Sequence, residues 1–204
     1  IDNGSVQYVD QAKPAEEGVI ALSPLNLEIN NIQLTDPEKP VRFQLATRLK
    51  NVDIGLKTGI WLDLAKEAVR LGEGEIAVGT GRLTFDVKAA QFMGEAPEID
   101  AKIGSQGFDM AGPLALIPPL PPVLKVEGGP GLEITAQGTP KQMAATVKLD
   151  LTPMGIFQEG QFAKGIGVPF TIDLAADYIE GDAKIDKLAI DLAGTVVMIA
   201  GTVA

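Results

Sequence analysis

Carboxylates are the residues that could do chemistry in this 204-residue chain: Asp and Glu number 27 against 17 Lys and Arg. Four of the aspartates, Asp63, Asp150, Asp173 and Asp191, recur inside one short phrase. A glycosidase pair must face across a cleft at about 5–9 Å, and calcium ligands crowd into one tight loop. These aspartates fall one to a phrase, each in its own segment, which predicts a solvated strand face. The chain has no histidine and no cysteine, so the commonest general base, the commonest transition-metal ligand and all thiolate and disulfide chemistry are absent. Gly72-Glu-Gly74 and Gly79-Thr-Gly81 resemble phosphate loops only superficially, since neither leads from a strand into a helix at the required spacing; turns are expected at both. Asn3-Gly-Ser5 has the form of a glycosylation triplet and reads as a turn. The single tryptophan, Trp61, is open to three readings: a groove lining, a membrane rim, or a packed interior aromatic. No constellation supports an enzyme, and no cofactor or metal is expected.

The elements that carry these residues are strands. The phrase occurs as Val147-Lys-Leu-Asp-Leu-Thr152, Phe170-Thr-Ile-Asp-Leu-Ala175, Leu188-Ala-Ile-Asp-Leu-Ala193 and, upstream, Ile60-Trp-Leu-Asp-Leu-Ala65. Each alternates with period two, which puts the apolar side chains on one face of a strand and the Asp on the other. A sheet of such strands is greasy on one side and wet on the other. Leu149, Leu151, Ile172, Leu174, Ile190, Leu192, Leu62 and Leu64 are therefore the candidate residues of an apolar groove. Hydrophobic residues make up 46% and aromatics only 5%, with mean hydropathy +0.17. An aliphatic surface of that kind suits acyl chains better than sugar rings or bases. No run approaches the ~20 apolar residues of a membrane helix. A net charge of −10 without a basic stripe argues against nucleic acid and against docking on anionic headgroups.

Along the chain, strands are expected after the Asn3-Gly4 turn, over Val19 to Leu34 and from Val41, with turn chemistry at Thr35 to Pro40. Ile60 to Leu71 has a helical period in Trp61, Leu64, Ala65, Ala68 and Leu71, yet it opens on the phrase that elsewhere reads as strand. The repeat outranks the local period, so strands are expected there. Glu95 to Gly112 reads as turn and strand. The proline-rich Ile117 to Lys125 favours extended backbone and reads as a stiff connector, the rival reading being a ligand for an aromatic-lined groove. It divides the chain into a first β unit over 1–115 and a second over 116–204 that continues the same sheet. Strands then follow at 131–136, 144–152, 169–176, 182–192 and 195–204. The last is an abrupt apolar edge, a pairing hazard that points to a piece of a longer protein.

Ile1-Asp-Asn-Gly-Ser-Val-Gln-Tyr-Val-Asp10 resembles the opening pattern of AsmA-like and TamB-like bacterial envelope proteins. Leu149-Asp-Leu-Thr152, Lys164, Gly167-Val-Pro-Phe170, Leu174, Ile185 to Ile190 and Gly201 are similar to a later stretch of the same family. The likeness spans most of the chain as a pattern of spacing. It implies a mainly β fold, a long curved and largely antiparallel sheet forming an open trough with an apolar interior and few or no helices. It also implies a periplasmic location, tethered to the inner membrane by an N-terminal helix outside this chain. The implied activity is movement of phospholipid between inner and outer membranes, or support of outer-membrane assembly, and no catalytic motif carries over.

Two functions compete on these readings. One is a lipid-binding trough whose ligand is a phospholipid or other acyl lipid. The other is a structural or scaffolding β domain with a closed core and envelope proteins as partners. They differ in whether the greasy face is covered by the chain's own second layer.

Overall fold

The structure is a computed structural model and describes residues 1–9, 19–33, 36–117, 121 and 124–203. Pro118, Pro119, Leu120, Pro122 and Val123, most of the proline-rich stretch, lie outside the described residues.

The chain is mainly β. Its strands are β1 (Gly4–Val9), β2 (Val19–Asn30), β3 (Val41–Leu49), β4 (Val52–Asp63), β5 (Ala68–Val78), β6 (Gly81–Ala90), β7 (Glu98–Ser105), β8 (Leu124–Glu127), β9 (Gly131–Thr139), β10 (Gln142–Asp150), β11 (Gly155–Gln158), β12 (Phe162–Lys164), β13 (Phe170–Ile179), β14 (Asp182–Leu192) and β15 (Thr195–Val203), with one short helix, α1 (Ala111–Leu116). Twelve strands form one antiparallel sheet in the order β1-β2-β3-β4-β5-β6-β7-β9-β10-β13-β14-β15. It is open, with β1 and β15 as its edges. The chain leaves it twice at the same end of the strands, after β7 and after β10. These excursions supply a second, three-stranded sheet, β12-β11-β8.

Alternation and register together give the large sheet two unlike faces. Paired residues of an antiparallel ladder point the same way. The row Ser105, Leu132, Leu149, Ile172, Ile190, Val197 crosses β7 to β15 on one face. The row Phe85, Ile103, Ile134, Val147, Leu174, Leu188, Ile199 runs beside it. On β3 to β5 the same side carries Leu45, Leu56 and Ile76. The opposite face carries the charges, as in Lys148 beside Glu133 and Asp173.

Ile60 to Leu71 is a hairpin. β4 ends at Asp63 and β5 starts at Ala68, and the Glu67 amide donates to the Leu64 carbonyl at 3.4 Å in the turn between them. The helical period there is a by-product of two alternating strands joined by four turn residues. Gly79-Thr-Gly81 spans the β5–β6 turn, with Gly79 at φ +61°, as expected. Gly72-Glu-Gly74 departs from its expected turn and lies inside β5, at a bulge between Leu71 and Gly74. Each glycine there seats a ring. A Cβ on Gly72 would lie 3.0 Å from Trp61, and one on Gly74 would lie 2.4 Å from Phe85. Glu73 absorbs the extra residue of the bulge at φ +51°.

Helix α1 was not expected. A Cβ on Gly81 would meet the Asp109 carbonyl oxygen at 2.6 Å and the Phe108 ring at 2.9 Å. Gly81 pairs with Val78, and Val78 with Ile54, so Phe108 and Asp109 stand over the aliphatic face. Asp109 accepts hydrogen bonds from the Thr80 hydroxyl and from the Ala111 amide, the latter at 2.8 Å. The segment thereby roofs one corner of that face, where Val52 and Thr47 are only 7% and 6% exposed.

Candidate functional site

Six of the eight candidate groove residues share the aliphatic face. Leu149, Ile172 and Ile190 sit side by side on β10, β13 and β14. Leu174 lies in the next row with Val147 and Leu188. Leu192 pairs with Phe170 at the end of β14, and Leu62 pairs with Val69 on β4 and β5. Leu151 lies just past β10, where its amide donates to the Phe170 carbonyl at 2.8 Å. Leu64 does not join the face. It falls in the β4–β5 turn and is 51% exposed, because Asp63 ends the strand one residue earlier by accepting the Lys66 amide at 3.0 Å.

The face is aliphatic and only partly covered. Leu149, Ile172, Leu174 and Ile190 are half-buried or nearly so, against neighbours in their own sheet. The fully buried hydrophobic side chains among the described residues are Val52, Met154 and Ala189. Val52 lies beneath the α1 corner. Two hydroxyls on the aliphatic face, those of Thr47 and Ser105, are buried without a hydrogen-bond partner. Nothing in the alternation pattern marked them.

The repeated aspartates do structural work on the polar side. Asp150 accepts the Thr152 amide at 2.9 Å and Asp191 accepts the Gly194 amide at 2.9 Å, each closing the turn that follows its strand. Asp63 does the same for the β4–β5 turn and also pairs with Lys66 Nζ at 3.0 Å. Hydrogen bonds from Lys66 hold the Asp63 carboxyl below its ordinary range. Asp173 sits in mid-strand opposite Lys148. No group of three or more potential metal ligands forms among the described residues.

Trp61 also lies on the polar side. Its ring covers Gly59, whose Cβ would fall 2.6 Å from it, and the Arg70 guanidinium stands 5.0 Å from the ring centroid. Arg70 is committed to Asp86 through Nε and Nη2, the latter at 2.5 Å. The arrangement is a ring seated on bare backbone with a cation over it, a packing role at an unexpected face.

Cavities open on the polar face as well. One of about 760 Å³ is bordered by Arg82, Glu133, Lys148, Asp150 and Asp173. Leu132 and Leu149 also border it but by parity point away. Its cations already have partners, Lys148 with Glu133 at 3.6 Å and Arg82 with Glu75 at 3.7 Å, so it presents no convergent set of free charges. The most deeply buried polar group is in the second excursion. Lys164, 2% exposed, donates from Nζ to the carbonyls of Met154 at 2.6 Å, Gly165 at 3.2 Å and Thr152 at 3.3 Å. All three ammonium protons are used on backbone, which ties the 152–165 loop together.

What these features define is an open antiparallel sheet with one charged face and one aliphatic face. Comparison with protein-family models, with curated proteins and with solved structures finds no match.

Proposed function

We propose that the aliphatic face binds the acyl chains of phospholipid or a similar lipid, and that the chain works without catalysis in carrying or shielding lipid between bacterial inner and outer membranes, in support of outer-membrane assembly. The periplasmic setting, and a tether outside these residues, rest on the resemblance of Ile1 to Asp10 and of the Leu149 to Gly201 stretch to AsmA-like and TamB-like proteins. The observation that carries the reading is the continuous aliphatic row from Leu132 through Leu149, Ile172 and Ile190 to Val197, of which Leu149, Ile172 and Ile190 are only half-buried or nearly so. Each acyl CH₂ laid on such a wall contributes roughly 0.8 kcal/mol, so a tail binds with no specific polar contact. A scaffolding domain with a closed core is less well supported, because the described fully buried hydrophobics are so few.

Ile172→Asp and Ile190→Asp test the reading through two measurements, thermal stability and affinity for a fluorescent fatty acid. On an open face the carboxylate stays hydrated, so both variants should fold. Their fatty-acid affinity should fall about tenfold or more, the equivalent of roughly 1.4 kcal/mol. In a closed core the same change buries an unpaired charge at a cost of at least several kcal/mol. Unfolded variants, or folded ones that bind as well as the parent, would overturn the acyl-binding reading.

A further inference from the structure

The roof over one corner of the aliphatic face is held by very little. Gly112 is the one buried residue of α1. Phe108 is fixed: its amide donates to the Pro130 carbonyl at 2.8 Å, and a Cβ on Gly129 would lie 2.2 Å from its carbonyl oxygen. Beyond it, Asp109 to Leu116 rest on two supports. One is the seat of Gly112 on the Val78–Gly79 backbone; the other is the Asp109 carboxylate, which accepts from the Thr80 hydroxyl and the Ala111 amide. A segment with so few buried apolar contacts opens locally well before the sheet unfolds. Beneath it lies apolar wall. Gly112 stands on the row Thr47, Ile54, Val78, with Val52 beside Gly79. In that row the Thr47 hydroxyl is buried without a hydrogen-bond partner. An orphan hydroxyl penalises the state that buries it, and here that state is the closed roof.

We infer that this corner is a second, gated acyl subsite, with Asp109 to Leu116 as its lid. The inference rests on the acyl-binding reading above. When the lid swings out about Phe108, an acyl tail takes its place against Val52, Ile54 and Val78. The Thr47 hydroxyl then meets water or the carboxyl or ester oxygens of the lipid. The wall under the lid is the same aliphatic face that lies open farther along: Val52 is 7% exposed, whereas Leu149, Ile172 and Ile190 are half-buried or nearly so. The fastening suits a lid that must part. Thr80 and Asp109 meet at the surface, so separating them exchanges one hydrogen bond for bonds to water. A tail that enters only when the lid is open binds with an affinity reduced by the fraction of molecules that are open. Lid opening and tail affinity at this corner therefore move together.

Deuterium exchange at the Leu114 amide reads the lid, since that amide donates to the Met110 carbonyl at 2.9 Å in the closed helix. A fluorescent fatty acid reads tail binding anywhere on the face. Two isosteric variants push the lid in opposite directions. Thr80→Val removes the fastening and should speed Leu114 exchange about tenfold, while Thr47→Val removes the orphan hydroxyl and should slow it about as much. Saturating palmitate should speed Leu114 exchange in the parent and leave β5 and β6 protected. The palmitate concentration at half effect should fall in Thr80→Val and rise in Thr47→Val, by the same factors as the exchange rates. If either variant loses its far-UV β spectrum, Asp109→Asn replaces Thr80→Val and Thr47→Ala replaces Thr47→Val. A parent that binds the fluorescent fatty acid while palmitate leaves Leu114 exchange unchanged, or slows it, overturns the lid and leaves the acyl-binding reading standing. Half-effect concentrations that do not follow the exchange rates do the same. A parent that binds no fatty acid overturns both.

Discussion

At the scale of single residues, the aspartates of the repeated phrase show how one residue type serves different ends by position. Where the phrase ends a strand, as at Asp63, Asp150 and Asp191, the carboxylate turns back to accept a backbone amide of the following turn. Where it begins one, as at Asp173, the carboxylate simply faces Lys148. Asp86 is the best-engaged carboxylate of the polar face, gripped by both Nε and Nη2 of Arg70. Those hydrogen bonds hold its pKa below the ordinary value. A carboxyl whose folded pKa lies below its unfolded one, about 3.9, contributes its full stabilisation above that value. The contribution is lost as pH falls through the folded pKa. Asp86→Asn should therefore lower the melting temperature at pH 7, and the gap should shrink as pH is lowered towards 2. With both partners partly in water, the effect at pH 7 should be at most about 1 kcal/mol. Melting curves of variant and parent at the two pH values decide it: an undiminished gap at pH 2 would mean that the pair's charge is not what the substitution removes.

At the scale of elements, the excursions that leave the sheet after β7 and β10 are held by glycines that admit backbone and by polar clips. Gly112 of α1 lies against the β5–β6 turn so closely that a Cβ would stand 2.4 Å from the Val78 carbonyl oxygen and 3.1 Å from the Gly79 nitrogen. Both are backbone atoms that cannot step aside. Gly112→Ala should therefore lift the 108–116 roof from the corner of the aliphatic face, at a cost of about 1–3 kcal/mol as in other overpacked sites. Hydrogen exchange should quicken around Gly79 to Gly81 and Phe108 to Leu114, while β9, β10 and β13 keep their protection. Unchanged exchange at those amides would show that the roof is not seated there in solution.

At the scale of the whole molecule, surface is the telling quantity. The chain exposes 13144 Å² for 21.4 kDa, against about 9,100 Å² for a globular monomer of that mass. On the same scaling a globular chain would bury about 22,000 Å² on folding and this one about 18,000 Å². The heat capacity of unfolding follows the surface exposed, so in dilute, lipid-free solution it should fall about a fifth below the usual 12–15 cal/mol/K per residue. Calorimetry giving the full globular value would mean that something covers the aliphatic face.

The sequence by itself determined the strands and their two faces. Period-two alternation is a local property, and in Val147 to Asp150 or Ile172 to Asp173 it settles which side chain goes to which side before any partner is present. For the same reason the repeat in Ile60 to Ala65 outweighed a helical period, and six of eight groove residues fell on one face. The short elements were decided only in three dimensions. β8, β11 and β12 have four, four and three residues, too few for a pattern, and exist because β11 pairs with β8 from far upstream. The turn that takes Leu64 off the face depends on the hydrogen bonds of Asp63 and Glu67, and the seats of Trp61 and Phe85 on Gly59, Gly72 and Gly74 depend on register across neighbouring strands. The α1 roof depends on contact between Gly112 and the Val78–Gly79 backbone, over thirty residues away in sequence. Alternation assigns a side chain to a face, but what lies over that face is set by long-range contact, which no local period encodes.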